Sequence, residues 1–138
     1  MFRKLLLVFI QLAVAASLQA SPAVEEITDL PGDISTALSQ GDTKTVARHF
    51  NSSVQVILLN REGMYNDSQA ELILKNFFSQ HQPTSFDLRH EGGSETRGSR
   101  FLIGTLYTKS GTYRVSLFIK SIDGNMKIHQ VRVEDDND

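Results

Sequence analysis

The chain has 138 residues, 40% of them hydrophobic and 22% charged, with a formal net charge of −2. That length suits one domain, and 14 basic against 16 acidic residues create no field that would draw in nucleic acid or anionic lipid. The lack of cysteine excludes a disulfide scaffold, a thiolate zinc site, an iron–sulfur cluster and a cysteine nucleophile.

Residues 1–20 have the pattern of a secretory signal peptide. Arg3 and Lys4 form a basic start, the run from Leu5 to Ala16 is apolar except for Gln11, and Leu18-Gln19-Ala20 supplies small or apolar groups for a signal peptidase. The run is too short to span a membrane, which takes about 20 apolar residues. Cleavage after Ala20 leaves 118 residues with 12 bases and 16 acids, a charge of −4. With no cysteine near the cleavage point, lipidation is excluded. An exported chain without disulfides is expected in a bacterial envelope, in the periplasm or outside a Gram-negative cell.

Residues 21–29 read as an acidic linker without period. Residues 30–134 carry the domain, and residues 135–138 form an acidic tail, fraying from Glu134 onward. Ile34, Ala37 and Leu38 make the apolar stripe of a helix, which Gly41 ends and after which Asp42 caps another. Val46, Ala47 and Phe50 continue the helical spacing. A strand is predicted over 53–59, with Val54, Val56 and Leu58 on one side and Ile57 and Leu59 on the other. After a turn at 60–63, Met64 and Tyr65 resume a short paired segment.

Ser68-Gln69-Ala70-Glu71 has the form of a capping box. The apolar face of Ala70, Ile73, Leu74, Phe77 and Phe78 behind it predicts a helix over 68–81, about 21 Å long, stopped by Pro83. Four strands follow. Phe86, Leu88 and His90 alternate with polar residues. Phe101 to Tyr107 and Tyr113 to Lys120 flank a tight turn at Ser110-Gly111. Residues 126–133 follow the turn at Asp123-Gly124-Asn125, and their parity slips at a bulge near His129-Gln130. Helices first and strands last argue an α+β fold, with helices on one face of a curved antiparallel sheet.

The order of these pieces resembles the nuclear transport factor two-like superfamily, also called the cystatin-like cone fold. Within it, the chain is similar to an uncharacterised family of secreted bacterial proteins, a domain of unknown function. The matching pieces are residues 37–42, Ala70 through Phe78, Phe86 to Gly92, Ile103-Gly104-Thr105-Leu106 and Gly111 to Val115. The resemblance implies a sheet wrapped around helices to enclose a pocket. It implies no reaction, because superfamily members include ketosteroid isomerase and scytalone dehydratase alongside many ligand-binding and dimerising domains. The isomerase needs a base carboxylate in an apolar cone facing a Tyr and a protonated Asp. No such set can be placed here: Asp87 alternates with Phe86 and Leu88 and should face water.

The residues that remain as binding candidates are Tyr65, His90, Tyr107, Tyr113, Arg114, His129 and Arg132. His90 shares the Phe86–Leu88 face by parity, and His129 sits at the expected bulge, where strands re-aim side chains. Tyr107, Tyr113, Arg114 and Arg132 make an anion or partner surface, since an Arg within a strand stacks on Tyr or grips a carboxylate. There is no Gly-x-Ser-x-Gly elbow and no phosphate loop. His90, Glu91 and His129 would need strand pairing to converge on a metal. No catalytic residue, metal or cofactor is assigned.

The expectation is an exported, non-catalytic domain that binds a small ligand in the cone or pairs through its sheet as a homodimer. The alternatives are a small isomerase- or dehydratase-type enzyme, with His90 or His129 as base and Tyr107 or Tyr113 as donor, and an interaction subunit of an envelope assembly.

Overall fold

The computed structural model describes residues 30–94 and 97–137. The expected signal peptide and linker (residues 1–29), residues 95–96 and residue 138 lie outside the described residues. Helix α1 (Leu30–Gln40) buries Leu30, Ile34, Ala37 and Leu38, the stripe expected at i, i+4, i+7 and i+8. It closes with the two hydrogen bonds of a Schellman motif, Gly41 N–H to Leu38 O and Asp42 N–H to Ala37 O. The motif needs a left-handed residue, and Gly41 has φ +67°. Helix α2 (Thr43–Ala47) starts at once, its N-cap Asp42 accepting from the Thr45 amide and from Thr45 Oγ1. Those hydrogen bonds hold the Asp42 carboxyl below its ordinary pKa.

Strand β1 (Phe50–Leu58) turns at Leu59-Asn60 into β2 (Arg61–Asn66). Helix α3 (Asp67–Gln80) follows without a break. The capping box is Asn66 with Gln69 at N3, two residues before the Ser68–Glu71 pair expected from sequence. Both tetrads fit the pattern. The earlier one prevails because Asn66 is also the last residue of β2, so the strand hands its terminal backbone directly to the helix. Then come β3 (Pro83–Ser94), β4 (Ser99–Thr108), β5 (Gly111–Ile122) and β6 (Asn125–Asp135).

The six strands form one curved, unclosed sheet in the order β2-β1-β6-β5-β4-β3. Strands β3 to β6 form the expected antiparallel meander. The β1–β2 hairpin joins it through a parallel pairing of β1 with β6, which the strand pattern did not reveal. All three helices lie on one face of the sheet. Alternate residues of β5 (Tyr113, Val115, Leu117 and Ile119) meet Val54 and Val56 of β1, Leu102 and Leu106 of β4 and Ile128, Val131 and Val133 of β6 in a single core with the helices. The sheet and helices together have the α+β cone architecture.

Two bulges re-aim side chains. Phe118 pairs with Gln130 and Ile119 with Ile128, which leaves His129 without a partner at the expected bulge. A second bulge lies in β3. Leu88 pairs with Gly104 and His90 with Ile103, so Arg89 is the extra residue. The parity of β3 therefore reverses after Leu88. His90 is exposed on the outer face with Ile103, contrary to the expectation that it shares the Phe86–Leu88 face. The expected fraying from Glu134 is also corrected. Strand β6 runs to Asp135, the Asp136 amide donates to Thr112 O, and the Asp136 carboxylate pairs with Arg114 at 3.4 Å.

Candidate functional site

A cleft of about 570 Å3 opens where α3 passes the β1–β2 hairpin. Its apolar wall is Val56, Leu58, Leu59, Ile73 and Phe77, and its polar groups are Asn60, Arg61, Tyr65, Asn76, Ser79, Gln80 and His81. No lining residue is a carboxylate, and Arg61 is the permanently charged one. The volume falls within the range spanned by small-molecule sites.

Strand alternation sets the hairpin side of the cleft. Val56 and Leu58 face α3 from β1, and their partners on β2 are Gly63 and Arg61. Arg61, Gly63 and Tyr65 therefore occupy one face of β2. Gly63 leaves room for the Tyr65 ring, since a Cβ there would stand 2.8 Å from Tyr65 Oη and 2.9 Å from two ring carbons. Leu59 in the turn has φ +53°, an unusual conformation for a residue with a branched side chain. The hairpin thus holds an apolar group at the cleft mouth in strained backbone, anchored by the Leu59 amide to Val133 O.

The helix supplies the other wall. Ala70, Leu74, Phe77 and His81 fall at i, i+4, i+7 and i+11, so His81 continues the buried stripe of α3 to its C-cap. Its ring lies 4.7 Å from Phe77 and 5.2 Å from Tyr113, and Tyr113 meets Phe77 edge-on at 5.1 Å. His81 Nδ1 contacts Tyr113 Oη at 3.1 Å and Ser110 Oγ at 2.5 Å. Both hydroxyls meet the ring at the same nitrogen, and Nε2 takes no part in these contacts. Ser110 and His81 have the reach of a nucleophile and base. Among the described residues, however, no carboxylate contacts His81 to orient it.

The candidates expected from sequence are dispersed by the structure. Tyr65 lines the cleft, and Tyr113, only 5% exposed, stands behind it as the partner of His81. His90, Tyr107 and Arg114 lie in a shallow polar groove on the outer face, with Arg89, Thr105, Thr112 and Asp136. There the Tyr107 hydroxyl accepts from Arg89 at 3.3 Å, and Asp87 and Asp136 already pair with Arg89 and Arg114. Arg132 is exposed on β6 and pairs with Glu134. His129 Nε2 is buried without a hydrogen-bond partner, and burial, aided by Lys120, lowers its pKa. No His–Tyr pair of the enzyme alternative shares an apolar pocket: His90 and Tyr113 are on opposite faces, and His129 lines neither the cleft nor the groove. Among the described residues, no group of three His, Asp or Glu side chains is placed to hold a metal, and no helix is long and apolar enough to cross a membrane.

Sequence reasoning missed Arg61 and the role of His81. The i+4 step from Phe77 to His81 was available as a signal. Nothing in the local sequence marks Arg61.

The profile of DUF4783, a domain of unknown function, matches residues 31–134. The chain belongs to the DUF4783 family. Solved DUF4783 proteins superpose well on it. The one from Bacteroides fragilis is 30% identical with a TM-score of 0.71, covering 78% of this chain and 99% of its own. The one from Bacteroides uniformis is 27% identical with a TM-score of 0.75, covering 80% and 100%. A protein from Cytophaga hutchinsonii described as NTF2-like, 11% identical with a TM-score of 0.57 over 78% of this chain and 93% of its own, shares the fold. DUF4783 is thus an uncharacterised family with the nuclear transport factor two-like fold. No curated protein matches the sequence.

Proposed function

We propose that this DUF4783 protein is an exported binding protein that holds a small amphipathic molecule in the cleft between α3 and the β1–β2 hairpin. The observation that supports this reading is the cleft itself: an apolar wall beside a few polar groups, with no carboxylate to act as acid or base. Native mass spectrometry of the purified chain, never denatured, tests it through a small mass that survives purification. A solvatochromic apolar dye provides the control. It should bind one to one, and Ile73→Trp, which fills the cleft, should abolish binding with the circular dichroism unchanged. Dye binding that ignores Ile73→Trp would overturn the reading.

A second reading, pairing of two copies through the sheet, is supported by a different feature. Phe101 and Phe118 are direct cross-strand partners on the outer face, 43% and 38% exposed. Analytical ultracentrifugation over a range of concentrations tests it, with Phe118→Asp expected to shift a dimer to monomer.

A further inference from the structure

We propose that the occupant of the cleft is an amphiphile with an anionic end, its apolar part against Ile73 and Phe77 and its charge at Arg61. This inference rests on the ligand-binding reading above. Arg61 makes no ion pair or side-chain hydrogen bond within the described residues, although the chain carries more acids than bases. Strand geometry sets its side chain on the cleft face, two residues from Gly63 and four from Tyr65. Because Gly63 has no side chain, the Tyr65 ring lies along the strand and carries its hydroxyl over position 63, on the Arg61 side of its own Cα. From the facing helix, His81 offers Nε2, its Nδ1 being taken by Tyr113 and Ser110. Arg61 is thus the one charged side chain of a lining that holds a phenol, an imidazole, amides and a hydroxyl but no carboxylate. A guanidinium fork matches a carboxylate or a phosphate in two parallel hydrogen bonds. A cationic head would meet like charge, and a neutral head would gain the apolar contacts alone.

Isothermal titration calorimetry on the purified chain at about pH 8, below micelle concentrations, tests this with four probes that share one tail: dodecanoate, dodecyl phosphate, dodecanol and dodecyltrimethylammonium. At least one anion should bind about tenfold more tightly than dodecanol, as a charged hydrogen bond allows. Whether carboxylate or phosphate leads identifies the head group. Arg61→Gln should remove that advantage, and an unchanged circular dichroism spectrum reports that the variant is folded. Anions no tighter than the alcohol, a preference for the cation, or indifference to Arg61→Gln would overturn the charge assignment while leaving the binding cleft intact. If none of the four binds or displaces the dye, both this inference and the ligand-binding reading fail.

Discussion

The Tyr113 hydroxyl lies 3.1 Å from His81 Nδ1, although 32 positions separate the two residues. This contact ties the C-cap of α3 to the start of β5, and so fixes one wall of the cleft against the sheet. Tyr113→Phe keeps the edge-on packing on Phe77 and removes the hydroxyl. It should cost about 1 kcal/mol of stability by urea denaturation. It should also shift the side-chain 15N resonances of His81. An unchanged His81 spectrum would show that the phenol does not set the ring.

Leu59 is a second structural oddity of the cleft. Its left-handed backbone costs about 1–2 kcal/mol for a residue with a Cβ, and Asn tolerates that conformation better. Leu59→Asn is therefore expected to leave stability equal or slightly raised, while dye affinity falls because an apolar wall is lost. A stability loss above about 1 kcal/mol would show that the side chain matters more to the core than its 38% exposure implies.

Phe86 covers Gly104 on the inner face. A Cβ at 104 would stand 2.3 Å from Phe86 Cζ and 2.7 Å from the Asp87 carbonyl oxygen. Gly104→Ala should destabilise the protein by about 1–3 kcal/mol through overpacking. Adding Phe86→Leu should recover only part of that, since the backbone contact remains. Additive losses in the double variant would show that the ring is not the obstacle.

Acid should weaken the fold through two histidines. Burial lowers the pKa of His49 from its ordinary 6.5, opposed by Asp33 and reinforced by Lys127 and Arg48. Burial, reinforced by Lys120, likewise lowers that of His129. The unfolded chain therefore takes up these protons first. Their contribution to stability is complete above pH 6.5 and is lost as pH falls toward the folded-state values. The urea midpoint should drop between about pH 7.5 and about pH 5.5, and the His49→Gln/His129→Gln double variant should flatten that drop. An equal drop in the double variant would assign the effect to other groups.

Export is testable directly. Expressed from its full sequence in a Gram-negative host, the protein should appear in the periplasmic fraction with Ser21 at its N-terminus, read by intact mass. A chain retaining Met1 would contradict the signal reading.

The apolar alternation of Tyr113, Val115, Leu117 and Ile119 is legible in the sequence because one face of β5 is covered and the other is not. The slip at His129 is legible for the same reason, as two buried parities meet there. The Arg89 bulge is not, because the residues after it are polar or glycine and show no parity, so alternation alone puts His90 on the wrong face. The cleft is harder still. Its Arg61 and Ile73 come from a hairpin and the helix that follows it, but His81 is placed by Ser110 and Tyr113, some thirty positions on, and no local pattern encodes that contact.

The parallel pairing of β1 with β6 has a consequence for how the sheet assembles. The last of the six described strands in chain order lies in the middle of the sheet, between β1 and β5. The hairpin and α3 have no sheet to dock on until residues 125–135 have emerged. A sheet closed by partners so distant in sequence folds slowly, on a scale of milliseconds to seconds. The two halves of the sheet, β2-β1 on one side and β5-β4-β3 on the other, are therefore joined only once residues 125–135 are available to pair with both.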